Sequence, residues 1–521
     1  MEKKGANMFS KVKSCAVHGV DGRMIDVEAD VNDGLPVFTM VGYLSSSVRE
    51  SSERVRTALK NSGFHLPPKR ITINLSPADM RKDGSGYDLA IATAVLLSLG
   101  VTAELPMEQT LVLGELSLDG SIKAIPGVLP MVICAREEGM TSCIVPKENV
   151  QEAALVQGIS VIGVSSLKET MEYIQGIKEY DNTNVRKPAV DTSEYLYDID
   201  FSDVVGQESI KRGMEIAAAG FHNVLLTGAA GAGKSMLAKR LPTILPQMSF
   251  EESLEVTKIY SVGGMLPPEG GLIHRRPFRA PHHTISEYAL IGGGRVPTPG
   301  EVSFAHYGVL FLDELPEFSK PVLEVLRQPL EERRIRISRV QASYEFPADF
   351  MFVAAMNPCP CGNYPDYRRC SCTEQQIRRY QSKVSGPLLD RIDIRMEVKG
   401  VKQEALFSKQ KTESSKTIRA RVEQARQMQK DRFTGTGLLF NSQLDGKNLE
   451  EYIKLSAEGK RLVLQLFEEQ ELSVRGVHRV LKLARTIADL AGSEEIENAH
   501  LQEAAFYRNQ DVFAKEVLYG N

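Results

Sequence analysis

At 521 residues the chain is longer than one hydrophobic core supports, and about three domains are expected. Its 42% hydrophobic and 25% charged content is ordinary for a globular protein, and no apolar run approaches the roughly 18 residues that span a bilayer, which argues against a membrane protein and for a cytoplasmic location. A net charge of −4 excludes a polycation, so contact with nucleic acid has to come from local basic patches; seven cysteines, an odd number with four between 359 and 372, argue against a secreted disulfide framework.

From Phe9 to about Gly176, short β-rich runs alternate with helical stretches. Val37 to Val41, Ile71 to Leu75 and Thr110 to Leu113 read as strands, and Ser47 to Ser62 and Tyr87 to Leu99 as helices. Residues 1–176 are therefore an α/β domain of their own. The segment from Arg81 to Ala94, with Gly114-Glu115-Leu116 and Ile125-Pro126-Gly127-Val128 beyond it, resembles the protease domain of the Lon family, which implies a ribosomal S5 domain 2-like fold. The resemblance puts Gly86 where the nucleophilic serine would stand and Leu129 where the catalytic lysine would stand. Without that pair there is no Ser-Lys mechanism, and Ser85 is one residue out of place. The domain is expected to serve assembly or substrate binding.

Residues 177–200 turn polar and lose periodicity, as a linker does. Residues 201–400 carry the chemistry. Gly228-Ala229-Ala230-Gly231-Ala232-Gly233-Lys234-Ser235 fits G-x-x-x-x-G-K-(S/T) and follows the apolar run Val224-Leu225-Leu226. Glycines at 228, 231 and 233 let the backbone turn its N–H groups toward a polyphosphate at a helix N-terminus, with Lys234 reaching the β/γ-phosphates and Ser235 ligating Mg²⁺. Gly308 to Leu312 is an apolar strand ending in Asp313-Glu314, where Asp313 would bind Mg²⁺ and Glu314 would polarise the attacking water. A third strand, Phe350 to Met356, ends at Asn357.

These parts resemble a P-loop ATPase of the AAA+ class. That resemblance implies that Val205 and Gly206, within a D-x-x-G-Q segment, lie beside the adenine of ATP, and that Asn357 is the sensor 1 residue near the γ-phosphate. Leu388-Leu389-Asp390-Arg391 resembles the arginine-finger element of the magnesium-chelatase and replicative-helicase branch, so Arg391 would act on a neighbour's nucleotide within a ring. A surface ion pair with Asp390 or Asp393 is the alternative. Residues 401–521 are helical by pattern, a C-terminal lid, with Arg475 at the start of a helix where this branch places sensor 2 and Arg479 one turn on.

Two insertions distinguish the core. One contains Arg275 to His283 and Ile291 to Gly294; His282-His283 has no carboxylate at metalloprotease spacing and reads as structural or substrate-contacting. The other, Glu332 to Val340 followed by Tyr344-Glu345-Phe346, alternates charged and apolar residues as a β-hairpin does. Arg336 and Arg339 on such arms would line a central channel and contact DNA phosphates, with a solvated edge strand as the alternative. Cys359, Cys361, Cys370 and Cys372 make two C-x-C pairs that could enclose a structural Zn²⁺, or be four reduced thiols in a loop. Cys15, Cys134 and Cys143 read as core residues.

Taken together, the phosphate loop, Asp313-Glu314, Asn357-Pro358-Cys359-Pro360-Cys361-Gly362, the Arg391 segment and the Lon-like front domain resemble the ComM/YifB family of magnesium-chelatase-like AAA+ proteins. That resemblance implies a homohexameric ring that uses ATP and Mg²⁺ to drive branch migration of single-stranded or branched DNA in recombination or natural transformation. A chelatase-type remodeller of a partner complex and an ATP-dependent unfoldase or protease are the competing classes, the last disfavoured by Gly86 and Leu129.

Overall fold

The computed structural model describes residues 9–179, 197–267, 271–339, 342–400 and 412–508. Most of the 177–200 linker and residues 401–411 lie outside the described residues.

The N-terminal domain is a seven-stranded mixed sheet in the order Phe38–Val41, Arg70–Ser76, Asp21–Asn32, Phe9–His18, Thr110–Val112, Ser142–Pro146 and Ser160–Val164. Asp21–Asn32 shows why it is half-covered: Ile25, Val27, Ala29 and Val31 alternate inward under the helices while their neighbours stay polar. Helix Asp88–Ser98 is apolar almost all round because it is buried between that sheet and the helix Ser46–Asn61. Ser45 caps Ser46–Asn61 by accepting the Val48 N–H.

The second sheet is parallel throughout, in the order Phe278–Arg279, Val309–Leu312, Met351–Met356, Val224–Thr227 and Ile394–Glu397. Each central strand is apolar on both faces, as a sheet sandwiched by helices requires. Val224, Leu226, Val309, Phe311, Val353 and Ala355 face one core; Leu225, Leu310, Leu312, Phe352 and Ala354 face the other. The first core is completed by helix Glu208–Gly220 and by the C-terminal helices Ser415–Arg432 and Val474–Leu490. The C-terminal helices therefore share their hydrophobic core with the parallel sheet. Val224↔Val353 and Phe311↔Val353 pairing brings the C-terminal ends of three strands to one edge.

Basic residues 334–338 form a two-stranded hairpin with Ser343–Pro347. The N-terminal domain clamps its returning strand. The tight turn after Phe9–His18 inserts Val20 into a small core with Ile259, Phe304 and the fully buried Phe346. Gly19 is in the left-handed region (φ 68°), and a Cβ there would stand 2.8 Å from the Glu345 carbonyl oxygen. His18 stacks on Tyr344 with ring centroids 4.5 Å apart. A polar contact stands beside it: Ser261 donates to the buried Glu152 carboxylate, the Gly127 N–H donates to the Ser261 carbonyl at 3.0 Å, and Lys258 pairs with Asp21 at 3.0 Å. Burial pushes the Glu152 carboxyl up, opposed by hydrogen bonds from Ser261, the Leu129 N–H and Asn149.

Phe346→Ala opens that shared core and should cost about 3–5 kcal/mol. Calorimetry of the variant is expected to show unfolding of the N-terminal domain split from that of the ATPase sheet; one transition at the wild-type temperature would show that the two do not depend on this contact.

Candidate active site

The phosphate loop leaves the central strand Val224–Thr227 and runs into helix Lys234–Arg240. Gly231 (φ 77°) and Gly233 (φ 94°) adopt left-handed conformations that a side chain would strain, and a Cβ on Gly228 would stand 2.2 Å from the Val398 carbonyl oxygen. The glycines thus serve different ends. Gly228 lets the loop pass the neighbouring strand, whereas Gly231 and Gly233 shape the cradle.

Lys234 is largely buried and points back into the loop. Its Nζ donates to the carbonyls of Gly228 (2.7 Å) and Ala229 (2.8 Å) and to Asn357 Oδ1 (3.0 Å). Burial lowers the pKa of its ammonium, while Asp313 and Glu314 oppose the shift. Ser235 Oγ donates to Asp313 Oδ2 at 2.5 Å. The loop lysine, the hydroxyl, the first carboxylate and the asparagine, spread over more than 120 positions of sequence, thus converge at one sheet edge. A hydroxyl and a carboxylate side by side are a hard oxygen donor pair that fits Mg²⁺, and a glycine cradle at a helix N-terminus fits a polyphosphate.

Glu314 lies one residue beyond, in the left-handed region (φ 53°), and its N–H donates to Asp313 Oδ1 at 2.9 Å. That turn separates the two carboxylates: Asp313 faces Ser235, and Glu314 faces an open pocket of about 330 Å³ lined by Ser235, Lys239, Ala280, Pro281, His282 and His283 along with both acids. Val205 and Gly206 lie on the segment leading into helix Glu208–Gly220, and Gln207 beside them donates to the Lys399 carbonyl next to the phosphate loop's own neighbour, Val398.

Tyr380 escapes sequence reasoning, and His283, read there only as structural or substrate-contacting, is not linked to the acids by it. His283 Nδ1 stands 3.9 Å from Glu314 Oε2, its ring packed on His282 with centroids 4.1 Å apart. Only the parallel pairing of Phe278–Arg279 with Val309–Leu312 brings that insertion loop to the acids. Tyr380 lies on helix Glu374–Gln381; burial pushes its phenol up to about 12, with Glu317 and Glu314 adding to the shift. No local motif marks either residue.

Arg391 is not at this site. It is buried, donates to the Pro387 carbonyl at 2.6 Å and pairs with Glu331 at 2.5 Å, so its ionic partner is neither Asp390 nor Asp393. Arg475 is exposed near the N-terminus of helix Val474–Leu490 and, with Arg391, holds the Glu331 carboxyl below the usual range. Arg479, one turn on, is committed to an ion pair with Asp393. Although burial pushes the Asp393 carboxyl up, Arg479 and His222 hold it well below the usual range. On the hairpin, exposed Arg336 pairs with Glu345 across the strands at 3.0 Å, and exposed Arg339 donates to the Gly294 carbonyl at 3.1 Å. Cys359, Cys361, Cys370 and Cys372 bring their sulfurs within 4.8 Å of one another. Of the other cysteines, Cys15 and Cys143 are buried, whereas Cys134 is only half-buried, at the edge of its core.

In the N-terminal domain, Leu129 is buried and Gly86 packs on Ile125. Ser85 Oγ donates to the Glu115 carboxylate.

A parallel sheet in this order, with a phosphate loop on one inner strand, paired acids on the next but one and a polar residue between them, defines a P-loop ATPase of the AAA+ type. Family models agree along the chain: magnesium chelatase, subunit ChlI, matches residues 200–406; subunit ChlI of Mg-chelatase matches 27–149; and the ChlI C-terminal model matches 412–508. The chain is 41% identical over 505 residues to the protein YifB of Escherichia coli, covering 96% of this chain and 97% of that one. It is 40% identical over 502 residues to the competence protein ComM of Haemophilus influenzae, covering 95% and 97%. The chain belongs to the YifB/ComM family of magnesium-chelatase-like AAA+ ATPases. A separate match of 30% identity over 183 residues to Lon protease 2 of Bacillus subtilis, covering 31% of this chain and 32% of that protein, accords with its Lon-like domain.

Glu314→Gln is expected to bind ATP with near wild-type affinity and to lose turnover by about 100-fold or more. Fluorescent-nucleotide binding and phosphate release measured on the same sample check this; undiminished turnover would remove Glu314 from the role of base.

Proposed function

We propose that the chain works as a homohexameric ring that hydrolyses ATP to move DNA, as a branch-migration helicase or translocase in recombination or natural transformation. The observation that carries this reading is the placement of Arg391 away from its own phosphate loop, paired with Glu331 at 2.5 Å. A cation so placed is useful to catalysis only if a neighbouring copy brings its nucleotide to it. The relative named a competence protein supports the choice of DNA as the polymer.

Within each copy, Gly228, Gly231 and Gly233 shape the phosphate cradle, Val205 and Gly206 flank the base, and Lys234 is the phosphate-binding cation. Ser235 and Asp313 would hold Mg²⁺, which supplies charge neutralisation of the phosphates. Glu314 orients and deprotonates the lytic water, and Asn357 aligns that water from the end of its strand. Lys234 exchanges its present carbonyl partners for phosphate oxygens. From the next copy, Arg391 and Arg475 reach the nucleotide, and leaving Glu331 is the cost of that movement. Arg336 and Arg339 project from the hairpin toward the ring's channel and grip phosphates without reading bases. Cys359, Cys361, Cys370 and Cys372 are read as ligands of a structural zinc.

The magnesium-chelatase family matches favour a second reading, a remodeller of a partner complex. The two readings part on nucleic acid. Single-stranded or forked DNA is expected to raise the ATPase rate, and Arg336→Ala with Arg339→Ala to abolish that stimulation while leaving the basal rate; indifference to every nucleic acid would favour the remodeller. For the ring, Arg391→Ala and Glu314→Gln should each be inactive alone. Mixed in equal amounts they should regain activity at about a quarter of the interfaces, those that pair an intact acid with an intact arginine. A mixture as inactive as its components would refute catalysis shared between copies.

A further inference from the structure

Residues 357–373, between strand Met351–Met356 and helix Glu374–Gln381, contain no helix or strand. Unstructured connections beyond about 12–15 residues are uncommon inside a domain unless something pins them. Apolar packing does not pin this one, since of its two tyrosines Tyr367 is 75% exposed. The sulfurs do. Cys359 and Cys361 are 3.4 Å apart, Cys361 and Cys370 3.6 Å, and Cys359 and Cys370 3.8 Å, with Cys372 completing the group. Four thiolates around a tetrahedral zinc with bonds of about 2.3 Å place their sulfurs about 3.8 Å apart, whereas a disulfide needs about 2.05 Å. The Tyr364 N–H donates to Cys359 Sγ at 3.4 Å, the kind of outer contact that orients a metal-bound thiolate.

The loop is tied to the nucleotide site at three points. It begins at Asn357, the acceptor for Lys234, and Cys359 two residues on is fully buried. Gly362, in the left-handed region (φ 78°), lies against the phosphate loop: a Cβ there would stand 3.4 Å from the Ala230 backbone nitrogen and 3.8 Å from Asn357 Cγ. Where the chain returns, Gln381 donates to the Pro358 carbonyl at 2.9 Å. The loop thus closes beside the residue from which it started; across it run a bond from Asn363 Nδ2 to the Arg369 carbonyl at 3.5 Å and the cysteine cluster, which joins Cys359 and Cys361 to Cys370 and Cys372.

Resting on the zinc reading above, we infer that the tetrathiolate site braces the ATPase: metal held by Cys359, Cys361, Cys370 and Cys372 keeps Gly362 against Ala230 and Asn357 against Lys234, so that nucleotide binding depends on the occupancy of a second, soft-metal site. The four cysteines are positioning residues, since none of them reaches the phosphate cradle. Once the metal leaves, the Gly362 N–H to Cys359 carbonyl bond (3.0 Å) and the Asn363 bonds to the Cys361 and Arg369 carbonyls remain to hold that turn, and none of them reaches Ala230.

The test uses the full chain with Mg²⁺ kept saturating. Elemental analysis is expected to find about one zinc per chain. Cys361→Ser with Cys372→Ser should lower it below about a tenth and weaken fluorescent-ATP binding by about fivefold or more, with helix content retained. Because those replacements can unfold the loop, zinc is also stripped from the wild-type chain with a zinc-selective chelator and then returned; affinity should fall and recover in step with metal content. Gly362→Ala, which keeps every thiol, should keep its zinc and still bind nucleotide more weakly. A wild-type chain without zinc overturns the metal reading and the brace with it. A zinc-free chain that binds nucleotide as before overturns the brace alone, as does a Gly362→Ala chain with unchanged affinity.

Discussion

The ammonium of Lys234 is largely removed from water and held by three oxygens, the carbonyls of Gly228 and Ala229 and the amide of Asn357. A cation in such a place is tolerated only because oxygen acceptors and two nearby carboxylates replace its hydration. The requirement reaches through the molecule. It needs the phosphate-loop strand and the Asn357 strand to pair in parallel and in register, the acids to end the next strand, and both faces of the sheet to be covered so that the edge stays dry. The two cores alternating along Val224–Thr227, Val309–Leu312 and Met351–Met356 meet that need. The same lysine is ready for a polyanion, since phosphate oxygens replace neutral carbonyls with a stronger charge-assisted bond.

The N-terminal domain has a Lon-like sheet, and its contacts join it to the rest of the molecule. Its Gly19-Val20 turn shares a core with Ile259, Phe304 and Phe346, its His18 stacks on Tyr344, and its buried Glu152 takes the Ser261 hydroxyl. These three contacts, on helix Phe250–Val262 and the basic hairpin, fix the hairpin's base and leave its arginines exposed. Leu129 gives its N–H to the same Glu152, so the start of its helix is part of the interdomain joint.

Charge is arranged by locality. The chain as a whole is slightly acidic, yet Arg334, Arg336 and Arg339 gather on one arm, and Arg391 pairs with Glu331. Arg391 is held, not free: it pairs with the half-exposed Glu331. That pairing ties the arginine to helix Arg327–Glu332, which runs directly into the basic hairpin.

Much of this was legible in the chain itself, because the relevant physics is local. The glycines of the phosphate loop, the apolar strands before Gly228, Asp313 and Asn357, and the charged-apolar alternation from 334 to 338 are all set by spacing and backbone sterics over a few residues. Helix limits shifted by a residue or so, as at Ser46–Asn61 and Asp88–Ser98, where caps decide the end. What no local pattern contains is which strand lies beside which. His283 meets Glu314 because two strands distant in sequence run parallel; Arg391 finds Glu331 rather than its sequence neighbours because a helix packs there; Gly362 lies against Ala230 because the cysteine loop folds back over the sheet edge. Sequence determined the chemistry available at each position, through side-chain type and local backbone freedom. Tertiary structure alone decided which of those groups touch, since long-range pairing is set by burying both faces of the sheet at once.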